Sequence, residues 1–68
     1  MKPQTADVLA LLALRGEAGV TPLEALRLVG TMRLAARVAE LRAAGHDIRT
    51  ATVKTPEGAH VARYTLAR

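Results

Sequence analysis

The apolar positions in the first part of the chain follow the period of an α-helix. Four of them recur at helical spacing: Val8, Leu11, Leu12 and Leu14. Gly16 and Gly19 come directly after this run. The pattern predicts a first helix over about residues 5–15, with its apolar face in the core.

A second helix has a clear start signal in the segment "VTPLEALRLVG". Thr21 can cap a helix, Pro22 suits its first position, and Glu24 completes a capping box three residues after the cap. Because Gly30 interrupts the segment, we expect a short helix over residues 22–29. Its leucines are expected to be buried: Leu23, Leu26 and Leu28.

The third predicted helix covers about residues 32–44, with Thr31 as its cap and Gly45 as its left-handed end. At about 100° per residue, one narrow stripe should face the core: Leu34, Val38 and Leu41. The opposite side is small and apolar, and consists of Met32, Ala36, Ala39 and Ala43. Arginines border that side, whereas an ordinary solvent-exposed helix presents Lys and Glu in mixed sign.

After Gly45 the pattern changes to that of strands. "DIRTATVKT" and "AHVARYTLA" are rich in Thr, Val, Ile and Tyr, and the turn sequence "TPEG" separates them. This predicts a hairpin with strands over about residues 47–55 and 59–66, in which Val53 lies opposite Val61. That register also pairs Ile48 with Leu66 and Thr50 with Tyr64. It turns Ile48, Tyr64 and Leu66 toward the core, and Arg49, Val53, Val61 and Arg63 to the open face.

Three helices followed by a two-stranded hairpin is a mostly α fold with the element order of a winged helix-turn-helix, here as one domain over residues 1–68. In such folds the second helix of the pair enters the DNA major groove and flanking elements hold phosphates. The residues so placed to read bases are Thr31, Met32, Arg33, Ala36 and Arg37. Those placed to hold the DNA backbone are Arg42, Arg49, Lys54 and Arg63.

The charge distribution supports a nucleic-acid partner. The 68-residue chain has a net charge of +4, and all of it falls within residues 31–68. Eight of the ten basic residues are Arg, which suits phosphate and guanine recognition, although a GC-rich genome favours the same choice. Double-stranded DNA is therefore the expected partner.

Other function classes find little support in the sequence. There is no Cys and no Ser, and His46 and His60 have no ligand cluster around them, so we expect no metal, cofactor or catalytic site. Nothing indicates a small-molecule ligand. No apolar stretch approaches the roughly 18 residues of a membrane span, so a cytoplasmic protein without a membrane partner is expected.

The segment "TPLEALRLVGTMRLAARVAELRAAGHDIRTATVKTPEGAHVARYTL" resembles the small helix-turn-helix proteins of bacteriophages and prophages. The likeness lies in "TPLEAL", "MRLAAR", "ELR", "GHDI" and "ARYTL", and covers roughly residues 5–66. It implies DNA binding and phage-type regulation. The chain departs from the older helix-turn-helix pattern because, with Ala25 at the small-residue position, the turn glycine falls one residue late, at Gly30.

Three functions remain open at this point: a transcriptional regulator, an accessory factor in excision of an integrated genome, and a protein-interaction module that does not bind DNA. One such module covers a single half-site. Useful specificity therefore suggests a homodimer or several copies on repeated sites.

Overall fold

A computed structural model describes residues 2–67. Its elements are α1 (Pro3–Arg15), α2 (Pro22–Leu28), α3 (Leu34–Ala43), β1 (Ile48–Lys54) and β2 (His60–Leu66), with a short 3-10 turn at Gly16–Ala18. The predicted order of three helices and an antiparallel hairpin is confirmed.

The core draws on all three helices, on the segment before α2 and on the start of β1. Eight apolar residues are buried in it: Val8, Leu12, Val20, Ala25, Leu34, Val38, Leu41 and Ile48. The predicted core stripe of α3 is therefore confirmed. Tyr64 and Leu66 pack against this cluster from β2 and are partly buried, as expected.

The hairpin has the predicted register, with Val53 opposite Val61. The pairs Ile48 with Leu66 and Thr50 with Tyr64 are also confirmed. An additional bridge joins Val20 to Tyr64, whose backbone N–H groups each donate to the other residue's carbonyl oxygen at 2.8 and 2.9 Å. The chain before α2 is thereby fixed to β2, on the side away from β1.

The prediction that the α2 leucines are buried is wrong. Leu23, Leu26 and Leu28 are all exposed, and Ala25 is the buried residue of the helix. With Ala25 turned to the core, Leu23 lies about 160° away around a helix of 3.6 residues per turn. In α1 the same correction applies to Leu14, which is 83% exposed.

The ends of the helices show which capping signals were interpreted correctly. The capping box of Thr21 and Glu24 is present at α2. At the end of α3, Gly45 has φ +100°, and the N–H groups of Gly45 and His46 donate to the carbonyls of Arg42 and Leu41, which is the Schellman arrangement.

Thr31, in contrast, does not cap α3. The helix begins at Leu34, about two residues later than expected, and Thr31 is 1% exposed. Its hydroxyl accepts a hydrogen bond from the Arg33 N–H at 3.1 Å inside the turn between α2 and α3. This local bond keeps the backbone before Leu34 in a turn, so Met32 and Arg33 do not extend the helix.

Candidate nucleic-acid interface

The outer face of α3 is made of small side chains. Ala35, Ala39 and Ala43 are exposed and Ala36 is half-buried. Because Ala35 and Ala39 on this face have short side chains, the backbone of α3 can approach another surface closely there. Such a face suits a helix that lies on the floor of the major groove.

The beginning of α3 is open, whereas the beginning of α2 is closed. At α2, Thr21 and Glu24 satisfy each other's backbone N–H groups. At α3 no described side chain caps the helix, its first turn contains no acidic residue, and the N-cap position is held by the exposed Arg33. Helix N-termini carry partial positive charge, and at α3 the guanidinium of Arg33 adds to it. This end of α3 is therefore suited to phosphates and to base acceptors.

Arg37 lies on the side of α3 that contacts α1. Its side chain is 15% exposed, its Nη1 donates to Gln4 Oε1 at 3.0 Å, and its Nε lies 2.8 Å from Glu40 Oε1. Thr5 and Lys2 also contact Glu40, at 2.7 and 3.3 Å. Arg37 therefore holds α3 against α1.

The pKa of Glu40 reflects this network. The hydrogen bond from the Thr5 hydroxyl holds the pKa of Glu40 below its usual value, partial burial opposes that effect, and Lys2 and Arg37 add to the lowering. The ionised carboxylate is thus the form that joins the two helices.

Arg42 connects the end of α3 to the hairpin. Its Nε and Nη2 donate to the carbonyl oxygen of Ile48 at 3.0 and 2.6 Å, and Nη2 also donates to the Thr50 hydroxyl at 2.9 Å. These bonds from a charged donor fix the hairpin relative to α3.

The other predicted backbone contacts differ in exposure. The Arg49 side chain is 74% exposed, and among the described residues its one ion pair is a long one of 3.7 Å to the exposed Asp47. Lys54 is exposed near the hairpin turn. Such surface pairs contribute little, so Arg49 stays available to a partner. Arg63 is half-buried, its side-chain carbons lie against Gly19, and its Nε has no hydrogen-bond partner among the described residues.

A family model for winged helix-turn-helix domains matches residues 3–68. The chain belongs to the winged helix-turn-helix family. Comparisons with curated proteins and with solved structures give no match. Membership supports DNA binding in general, and domains of this family are typically not enzymes.

Within residues 2–67, no three His, Cys, Asp or Glu residues come together in a way that could hold a metal ion. None of the helices there has the length and apolar character needed to cross a membrane.

The sequence prediction did not include Ala35 in the outer face of α3, although the residue is exposed. The sequence also did not predict that Thr5 links α1 to α3 or that Val20 links the segment before α2 to β2. The exposure of Ala35 has a sequence signal, because Arg42 lies on the same side of α3 seven residues later. The contacts of Thr5 and Val20 join residues 35 and 44 positions apart, and no local pattern predicts such contacts.

Proposed function

We propose that this winged helix-turn-helix domain binds double-stranded DNA sequence-specifically and acts as a phage- or prophage-type transcriptional regulator in the bacterial cytoplasm or nucleoid. The observation that carries the proposal is the open, positive beginning of α3 beside an exposed alanine face. A helix with that end and that face fits the major groove, and the hairpin then lies along the DNA backbone.

In this arrangement Arg33 is the principal base reader, because a guanidinium can donate to both acceptors of a guanine in the major groove. Ala36 and Met32 are suited to thymine methyl groups. The positions of Thr31 and Arg37 do not favour the direct contact that the sequence predicts. We assign these two residues to positioning α3.

The exposed Arg49 and Lys54 supply phosphate contacts in the proposed complex. Arg42 is hydrogen-bonded to the hairpin and Arg63 lies against Gly19, so these two side chains mainly stabilise the fold. They contribute less than Arg49 and Lys54 to the proposed contacts with the DNA backbone. Contacts of this kind make affinity fall steeply with salt, since each neutralised phosphate releases counterions.

The test begins with selection of preferred sites from random duplex DNA, followed by fluorescence anisotropy on the selected site and on scrambled DNA. Arg33→Ala should weaken binding to the selected site by about 1–3 kcal/mol and relax the preference at one base pair. The matched variant Arg37→Ala removes the same side chain four residues later. It should lower the stability of the fold while the folded protein keeps its base preference.

Absence of duplex binding at low salt would overturn the proposal. Unchanged base preference in Arg33→Ala would remove Arg33 from the interface. A regulator is separated from an excision factor by footprinting the protein on its own genome, because a regulator occupies promoters and an excision factor occupies an attachment site.

A further inference from the structure

The exposed apolar residues of the described chain are clustered. Five large apolar side chains are exposed, and each of them lines one of two surface depressions: Leu14, Leu23, Leu26, Leu28 and Met32. Single exposed apolar residues are ordinary, but contiguous apolar patches on a small protein mark interaction sites.

The first depression is a groove of about 500 Å³ between α2, the turn before α3 and the hairpin. We call it the α2–hairpin groove, and its apolar lining consists of Pro22, Leu23, Leu26, Met32, Val53 and Val61. All of its lining residues are uncharged. Two exposed cations flank it: Arg27 lies one helical turn after Leu23, and Arg33 follows Met32.

The second depression lies between α1 and the end of α2. We call it the α1–α2 patch, and it is lined by Asp7, Ala10, Leu11, Leu14, Leu28 and Val29. Leu14 projects from it with 83% of its surface exposed. Among the described residues that line it, the one charged side chain is the acidic Asp7.

We propose that copies of this chain associate head to tail, with the α1–α2 patch of one copy seated in the α2–hairpin groove of the next. Leu14, with 83% of its surface exposed, is the apolar side chain of the patch that can enter the groove. A contact between two different surfaces of the same chain is heterologous, so it can be repeated from copy to copy.

Charge selects the same pairing. Two grooves placed face to face would bring Arg27 and Arg33 of one copy against the same cations of the other. Two patches face to face would oppose Asp7 to Asp7. Only the contact of patch with groove sets an acidic residue against basic ones, and like-charge contacts are what interfaces avoid.

The α2–hairpin groove includes Met32 and is flanked by Arg33, which read bases in the proposed DNA complex, so self-association and DNA binding compete for this surface. Self-association itself does not depend on DNA binding and is tested without DNA. Sedimentation equilibrium of the wild-type protein at rising concentration should show a weight-average mass that increases beyond the monomer. Leu14→Glu and Leu23→Glu each place a charge in one of the two surfaces, and each should weaken the association by roughly tenfold or more. Both positions are exposed, so the variants should fold, which thermal melts by circular dichroism verify.

Mixing the two variants decides the geometry. The Leu14→Glu copy retains its groove and the Leu23→Glu copy retains its patch, so an equimolar mixture should regain association but stop at twice the monomer mass. The control Ala43→Glu adds the same charge to an exposed position near the end of α3, outside both surfaces, and should associate as wild type does.

A wild-type protein that stays monomeric at all concentrations overturns the proposal. So does a Leu14→Glu variant that associates normally, since that result indicates a groove-to-groove dimer. A mixture that fails to regain association while both variants remain folded overturns it as well.

Discussion

At the scale of single residues, Gly19 is the position at which the backbone leaves no room for a side chain. Its φ is +70°, and an added Cβ would lie 2.7 Å from the carbonyl oxygen of Tyr64 and 2.9 Å from side-chain carbons of Arg63 and Thr65. Gly19→Ala should therefore combine the penalty of a left-handed backbone with a clash against β2. We expect it to destabilise the fold by about 2–4 kcal/mol, measured by urea denaturation.

Gly58→Ala is the matched control for that substitution. Gly58 has φ +90°, and the nearest atom to an added Cβ is the flexible Lys54 Cε at 4.0 Å. Gly58→Ala should therefore destabilise the fold only through the unfavourable backbone conformation, by about 1–2 kcal/mol. Equal losses for the two variants would show that the contact between the residue 19 backbone and β2 does not limit stability.

At the scale of whole elements, the sequence predicts those helix ends correctly whose hydrogen-bond partners lie within a few residues along the chain. The box of Thr21 and Glu24 and the left-handed Gly45 depend on local hydrogen bonds, so their sequence signals were sufficient. The direction in which α2 faces depends on what packs against it. A helix of only seven residues has too few apolar positions to define a face, and Leu23 was therefore assigned to the wrong side.

The same limit explains the outcome for the candidate site. Element order predicted the third helix and the hairpin as observed, and the basic residues that they carry are read directly from the sequence. Whether a given Arg is free or engaged depends on distant partners. The Arg37 side chain donates a hydrogen bond to Gln4 across 33 positions of the chain, while none of the described residues holds the Arg33 side chain in a comparable way. Helical periodicity places both on the flank of α3, so sequence alone could not separate them.

The capping box of α2 also predicts how stability depends on pH. Burial raises the pKa of Glu24, but the Thr21 N–H and hydroxyl and the Arg15 guanidinium lower it by more, so the net pKa lies below the ordinary value of 4.5. A carboxyl with a lowered pKa in the folded state stabilises the fold above about pH 4.5. That stabilisation is lost as the pH falls through the lowered pKa, where the folded protein takes up the proton.

Glu24→Gln should therefore be less stable than wild type at pH 7 and should approach it at pH 3, because Gln can still accept the Thr21 hydrogen bond but carries no charge. Thermal melts at both pH values measure the difference. Glu57→Gln, in the exposed hairpin turn, should differ little from wild type at either pH. A Glu24→Gln difference that persists undiminished at pH 3 would attribute the loss to packing instead of ionisation.

At the scale of the whole molecule, the net positive charge is carried by one half of the chain, where two of the three acidic side chains lie in ion pairs. All of the net +4 lies in residues 31–68. Of the three acidic side chains in that half, Glu40 forms ion pairs with Lys2 and Arg37 and accepts a hydrogen bond from Thr5. Asp47 lies near Arg49. Glu57 is left in the exposed hairpin turn, where it reduces the positive field beside Lys54.

If the hairpin lies on the DNA backbone as proposed, Lys54 and Glu57 should affect affinity in opposite directions and independently of sequence. Lys54→Ala should weaken binding to selected and scrambled duplexes alike, and should reduce the slope of log affinity against log salt by about 1, since one phosphate contact is lost. Glu57→Gln should strengthen binding to both by roughly twofold to fivefold, the value of about 0.5–1 kcal/mol expected for one exposed charge. Anisotropy titrations at several salt concentrations measure both effects, and if neither variant changes the affinity, the hairpin turn lies away from the DNA even when α3 binds it.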